Sequence, residues 1–277
     1  MTPPTLPALL DRKGTGSKIV GVVAWDFQMA RVAVRASADL LVVGDSVGVN
    51  LWGHSNPFQV TLDEMIVVAA AVRRGSSGTL VCCDFPYGPL QQGPRAAVGA
   101  AVRIVKETGA DLVKLDGAAD HLDGVEAVRR AGVPVFAQMG VTPQLALRHG
   151  VDYASLSAPG AEVPSTLASS LVAEAKRLES AGASMIDFTN SGPVAGPLVV
   201  DAVSIPVLGG FGGGPWLDGR VRLAHAAIGY AASGIDQPLD TYAQVARTAL
   251  EALSAYASDV RAGKQIRGGI RVAEDGH

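Results

Sequence analysis

Leu40-Leu41-Val42-Val43-Gly44-Asp45-Ser46 is an unbroken apolar run that ends in an acid. Four large aliphatic residues in a row read as a strand covered on both faces, the pattern of a parallel sheet. A carboxylate at the C-terminal end of such a strand stands where α/β enzymes carry out their chemistry. Thr79–Asp84, Asp111–Asp116 and Ser184–Thr189 repeat the design, apolar in the middle and polar at the end.

Outward from this run, strands are expected at Lys18–Trp25, Leu40–Asp45, Thr79–Asp84, Asp111–Asp116, Val133–Met139, Ser184–Thr189 and Ile205–Gly209. Helices are expected at Phe27–Ser37, Arg95–Thr108, His121–Ala131, Ser165–Ser180 and Leu217–Tyr230. A further helix runs to Arg74, opened by Thr61 and Glu64 as a capping box. Residues 1–17 read as a leader or short capping helix, Ser46–Val60 as a loop, and the stretch around Pro159 and Pro164 as a long loop. Residues 241–263 form an alanine-rich C-terminal helix. This alternation, with no disorder-prone linker, favours a single (β/α)8 TIM barrel over residues 1–277 rather than a doubly wound sheet. Seven strands can be counted, and the eighth is expected to be short. No G-x-G-x-x-G follows the first strand, which weighs against dinucleotide binding. Gly209–Gly214 (GGFGGG) reads equally as a phosphate-binding turn or a flexible one.

A net charge of −3 over 277 residues gives no electrostatic footprint for nucleic acid or an anionic membrane. No apolar stretch approaches the roughly 20 residues that span a bilayer. No signal peptide is evident, and Cys82 and Cys83 are adjacent, where a disulfide would be strained. A cytoplasmic, reduced protein is expected. Both cysteines read as small core residues, and His54 as a loop-packing histidine.

Side chains alternate faces along a strand. On that rule Leu41, Val43 and Asp45 share a face, as do Cys82 and Asp84, Lys114 and Asp116, Phe136 and Gln138, and Asp187 and Thr189. The intervening residues are apolar or small. The polar set therefore converges at the mouth of the barrel. Buried ion pairs that fix strand order, Lys114 with Asp116 or Asp84, are one reading. Burying several charges is costly unless something uses them, and three acids with one lysine suit a hard divalent cation such as Mg²⁺.

At these residues the chain resembles the ketopantoate hydroxymethyltransferase family. The match runs from about residue 15 to 265, through Ala24-Trp25-Asp26-Phe27, Val43-Gly44-Asp45-Ser46 with Gly53-His54, and Val60-Thr61. It continues through Ala71–Gly75, Asp84-Phe85-Pro86, Val113-Lys114-Leu115, Gly140-Val141-Thr142-Pro143-Gln144 and Ile205-Pro206-Val207. The resemblance implies a Mg²⁺-dependent barrel enzyme, usually decameric, that uses 5,10-methylenetetrahydrofolate as one-carbon donor. It implies that Asp45 and Asp84 bind the metal and that Ser46 and Lys114 contact a 2-oxo acid. Asp116 stands at a family glutamate position and is the third expected metal ligand. Two departures concern proton transfer: Gln138 stands where the family has histidine, and Thr189 where it has its glutamate base. Asp187, on the same face as Thr189, is the expected stand-in.

Three readings follow as expectations. The first is one-carbon transfer to 3-methyl-2-oxobutanoate or an analogue, by a homo-oligomer that engages neither membrane nor nucleic acid. The second is folate-independent carbon–carbon cleavage of a 2-oxo or 2-hydroxy diacid. Asp84-Phe85-Pro86-Tyr87-Gly88 resembles a segment of the phosphoenolpyruvate mutase and isocitrate lyase superfamily, although no lysine- and cysteine-bearing lid loop is found. The third is non-enzymatic, a degenerate barrel kept as an assembly partner or ligand sensor, against which the retained Asp45, Asp84 and Lys114 argue.

Overall fold

The structure is a computed structural model that describes residues 4–150, 152–157 and 161–268. Eight parallel strands close into a barrel in chain order. They are β1 (Ile19–Val23), β2 (Leu40–Val43), β3 (Leu80–Asp84), β4 (Leu112–Leu115), β5 (Val135–Gly140), β6 (Met185–Thr189), β7 (Val207–Gly209) and β8 (Gly219–Leu223). The helices are α1 (Leu6–Leu10), α2 (Phe27–Arg35), α3 (Val47–Asn50), α4 (Leu62–Gly75), α5 (Pro94–Thr108), α6 (Leu122–Arg130), α7 (Ala168–Ser180), α8 (Ala195–Ala202), α9 (Ala224–Ala227) and α10 (Val245–Arg261). Contacts divide the chain into two compact units at Ala224/His225. All eight strands lie in the first.

The central strands are buried on both faces because the lumen lies on one side and helices lie on the other. Leu40, Val42, Cys82, Leu112 and Phe136 fill the lumen, while Leu41, Val43, Cys83, Val113, Ala137 and Ile186 sit under the helices, all without solvent exposure. This reverses the face expected for Leu41 and Val43: Asp45 comes to the mouth from beyond the end of β2, after Gly44, and not by alternation along the strand. The register pairs Val43 with Cys83, Asp84 with Lys114 and Gln138 with Asp187. Neighbouring strands thus carry their polar residues at similar heights. The bottom is closed by α1, which has Thr5 as its N-cap and a buried Leu9. Behind it the Lys13 ammonium donates to Asp218 (2.8 Å) and to the Val200 carbonyl (2.7 Å). The capping box of α4 is reciprocal: Thr61 N–H donates to Glu64 Oε2 (2.8 Å) and Glu64 N–H to Thr61 Oγ1 (3.3 Å).

Besides the facing of β2, the structure corrects the sequence reading in three places. The expected helix Leu217–Tyr230 is largely strand: β8 pairs with β1 and β7, and only Ala224–Ala227 is helical. Gly219 and Val221 are buried while Arg220 and Arg222 are exposed, a period of two that Leu217, Val221 and Ala224 had masked as a helical stripe. The helix α8 was not anticipated. Pro197 falls in the first turn, where its missing N–H costs nothing. The expected loop Ser46–Val60 holds α3 and a 3₁₀ turn at Pro57–Gln59. Pro159 lies outside the described residues.

Candidate active site

Lys114, on β4, organises the mouth. Its ammonium lies 2.9 Å from Asp84 Oδ2 on β3 and 3.5 Å from Asp187 Oδ2 on β6. As β4 and β6 are not adjacent, the second contact crosses the lumen, which confirms the shared interior face of these residues. All three side chains are buried. Burial opposes the Lys114 charge, but Asp84, Asp187 and Asp45 outweigh it, and its pKa is raised. Lys114 is a permanent cation at working pH. Of the partners expected for it, Asp84 is the one it bonds, and Asp187 takes the place expected for Asp116.

The acids are held differently. Burial raises the Asp84 carboxyl to about 7, against the pull of Lys114 and with the charges of Asp45 and Asp187 adding to it. Its Oδ1 is buried without a hydrogen-bond partner. Burial also raises Asp45, while the Gln144 amide, Lys114 and the Ser46 backbone pull it down. Asp116 is raised to about 7 by burial. The Thr142 hydroxyl is near enough to lower that value, but Asp116 Oδ1 and Thr142 Oγ1 make no well-formed hydrogen bond. Asp187 Oδ1 accepts from the Gly210 N–H at 3.1 Å, which fixes its orientation.

Gln138 and Thr189, the two departures from the family pattern, are bonded to one another: Gln138 Nε2 donates to Thr189 Oγ1 at 2.8 Å. Both are buried. This neutral pair holds position but takes no proton near neutral pH. Ser46 is buried at the start of α3, its hydroxyl making no cap bond. His54 sits edge-on to Trp52 with ring centroids 5.9 Å apart. Its backbone N–H donates to Gly48 O, which fits loop packing. Cys82 and Cys83 are fully buried, and burial pushes both thiols up, which suits small core residues.

Two residues at the mouth carried no assigned role in the sequence. Gln144 Nε2 donates to Asp45 Oδ2 (2.9 Å) and to the Phe85 carbonyl (3.3 Å), while its backbone N–H donates to Asp116 Oδ2 (2.9 Å). One residue thus ties the ends of β2, β3 and β4 together. The Gly140–Gln144 motif marked the position without revealing its partners. Tyr153, from the loop after β5, stands edge-on to Phe211 at 6.4 Å. Its phenol is pushed up to about 12 by burial and the charge of Asp45, against a hydrogen bond with Asn50. No local pattern marks Tyr153, because only the path of the loop brings it there.

Among the described residues, no three His, Cys, Asp or Glu side chains form a ready-made cage for an ion. Mg²⁺ commonly takes one or two carboxylates and completes its shell with water and substrate oxygens. The buried, unbonded Asp84 Oδ1 and the adjacent Asp45 fit that requirement, with Asp116 beside them. Outer partners of metal-binding carboxylates typically set affinity by 10–100-fold. Gln144→Met, which keeps bulk and the backbone N–H but removes the amide donor to Asp45, is therefore expected to weaken Mn²⁺ binding by about 10-fold or more in calorimetry. Unchanged affinity would show that Asp45 needs no such support.

The sequence profile described as ketopantoate hydroxymethyltransferase matches residues 4–265. The 3-methyl-2-oxobutanoate hydroxymethyltransferase of Salinibacter ruber is 36% identical over 257 residues, covering 93% of this chain and 94% of that protein. That of Geobacillus kaustophilus is 35% identical, covering 90% and 87%. Among solved structures, 2,3-dimethylmalate lyase, a PEP mutase/isocitrate lyase superfamily member, superposes with a TM-score of 0.60 at 17% identity, covering 93% of this chain and 99% of that one. Phosphonopyruvate hydrolase reaches 0.60 at 13% identity, covering 98% and 91%. At such identities these structures establish the TIM-barrel fold alone. The profile and the relatives, matching almost end to end, establish more: the chain belongs to the ketopantoate hydroxymethyltransferase family, a family of transferase enzymes.

Proposed function

We propose that this protein catalyses Mg²⁺-dependent hydroxymethyl transfer to 3-methyl-2-oxobutanoate or a close 2-oxo acid, as in pantothenate biosynthesis. The donor is proposed to be 5,10-methylenetetrahydrofolate. The observation that carries the reading is the buried Lys114 between Asp84 and Asp187, with Asp45 alongside. Asp45 and Asp84 would hold the metal, with Asp116 supporting it. When bound, Mg²⁺ withdraws electron density from the keto group and makes the neighbouring C–H acidic.

The chain's own residues do the rest. Lys114 and Ser46 bind and orient the anionic 2-oxo acid. Asp187 Oδ2 takes the proton from the carbon next to the ketone, the C–H pair passing into the enolate. Its other oxygen stays anchored by Gly210 N–H, so the base does not swing away. Lys114 beside it steadies both the carboxylate base and the enolate charge. Water opens the donor's methylene bridge, both C–N bonds breaking as tetrahydrofolate leaves with the two water protons on its nitrogens. The nucleophilic carbon bonds to the released one-carbon aldehyde, whose oxygen takes the proton held by Asp187 and becomes the hydroxyl. The Gln138–Thr189 pair lines this reaction space without titrating.

The same neutral pair favours one alternative, a folate-independent carbon–carbon lyase or decarboxylase acting on a 2-oxo or 2-hydroxy diacid. Cleavage that releases an enolate needs no carbon base of the glutamate kind. Deuterium exchange separates the two. With Mg²⁺ and 3-methyl-2-oxobutanoate in D₂O, without donor, the C3 proton signal is expected to disappear in NMR, and to persist without metal or in Asp84→Ala. A persistent signal in the wild type would turn attention to cleavage of diacids.

No described helix is long and apolar enough to cross a membrane, and a cytoplasmic location is part of the proposal. So is homo-oligomeric assembly, decameric by family resemblance. Leu250, Leu253, Tyr256 and Val260, exposed on α10, are compatible with it.

A further inference from the structure

A cavity of about 240 Å³ opens beside the site, between the end of β5, the first half of α7 and the turn after β4. Gln138 belongs to both spaces: it lines the cavity and donates to Thr189 in the lumen. The walls are apolar, with Met139, Val141, Leu145, Val163 and Leu171 among them. Against these walls stands the carboxylate of Glu174. It is half-buried and makes no hydrogen bond or ion pair among the described residues. Burial raises its pKa, Arg177 opposes that and Asp120 adds to it. The other charges on the lining, Asp120 and Arg148, are already paired with one another.

A half-buried carboxylate with no donor from the protein is open to one supplied by a ligand, and the charge-assisted bond gains strength as the ligand excludes water. Apolar walls with one acceptor group describe a slot for a flat heterocycle that presents N–H groups along one edge. The volume is below the roughly 300–1,000 Å³ of sites that enclose a whole drug-sized ligand. It therefore suits the ring end of a longer molecule. Hydroxymethyl transfer needs a second reactant beside the 2-oxo acid, and Gln138 is where the cavity meets the reaction space.

We propose that this cavity receives the ring of the one-carbon donor, with Glu174 accepting from adjacent N–H groups such as those on the 2-amino-4-oxo edge of a reduced pterin. The inference rests on the transfer reading above and extends it to a donor subsite.

Tetrahydrofolate is the probe, and binding to the full-length protein is followed by calorimetry. Glu174→Gln keeps the shape but loses the charge. It is expected to weaken binding by about 10–100-fold, the worth of a charge-assisted hydrogen-bonded pair. Ser170→Trp, at an exposed point on the lining, fills the cavity without disturbing the core and is expected to weaken binding at least as much. In steady state both variants raise KM for the donor far more than KM for the 2-oxo acid. Wild-type affinity in both variants overturns the inference, as does a wild-type protein that binds no tetrahydrofolate. Neither result touches deuterium exchange, which needs no donor and judges the transfer reading separately.

Discussion

Lys114→Met is expected to lose about 3–5 kcal/mol of stability near pH 8, the usual cost of removing one partner of a buried ion pair. Methionine fills the space but leaves Asp84, Asp187 and Asp45 buried without their cation. Asp84 already has its pKa raised to about 7 in the folded protein, and without Lys114 it climbs further. An acid whose folded pKa is raised contributes stability that is fully present below its unfolded value, near 4, and is lost as pH rises through the folded value. The variant's acids take up protons at low pH, so its deficit against the wild type should be small near pH 5 and grow toward pH 8. Urea unfolding of both proteins at the two pH values measures this. A deficit that is the same at both would mean that Lys114 contributes packing and not charge. Because Lys114 is also the proposed anchor for the 2-oxo acid, deuterium exchange should fall with it.

Asp187→Asn is the sharper test of chemistry. The substitution keeps the shape of the side chain and an acceptor for Gly210 N–H, and Lys114 remains paired with Asp84 at 2.9 Å. Folding and 2-oxo acid binding should survive. The ability to take a proton does not, and positioned general bases contribute about 10²–10⁴ in rate. Metal-dependent loss of the C3 proton should slow by that factor, with little change in the 2-oxo acid concentration needed for half-maximal exchange. Exchange at the wild-type rate would remove Asp187 from the mechanism. Thr189, bonded to Gln138, offers no substitute base, so the proton would have to reach another acid at the mouth.

Much of this molecule was legible residue by residue. Apolar runs of four to six residues ending in a polar side chain specified the central strands, because a parallel strand between lumen and helices must be apolar on both faces. The two-residue period then placed Asp84, Lys114, Gln138, Asp187 and Thr189 on one face, whereas on β2 it pointed Leu41 and Val43 the wrong way. Thr61 and Glu64 announced the start of α4 three residues apart, a signal wholly local to the chain. The family could be read from motifs, and its sequence profile matches residues 4–265.

Other features depended on closure. The β8 strand reads as helix alone and becomes strand because β1 and β7 present unpaired edges that only Gly219–Leu223 can satisfy. The partners of Lys114 could not be ranked from spacing, since Asp116 is two residues away and Asp187 is seventy-three. The lumen brings Asp187 across to it and turns Asp116 toward Gln144 instead. Gln144 reaches Asp45 over ninety-nine residues of chain, and Glu174 comes to a cavity shared with Gln138 only because α7 packs over β5. Sequence determines which side chains are polar and, on β3 to β6, which way the strand turns them. Which of them meet is decided by barrel closure, because contacts across the lumen join residues that no local period relates.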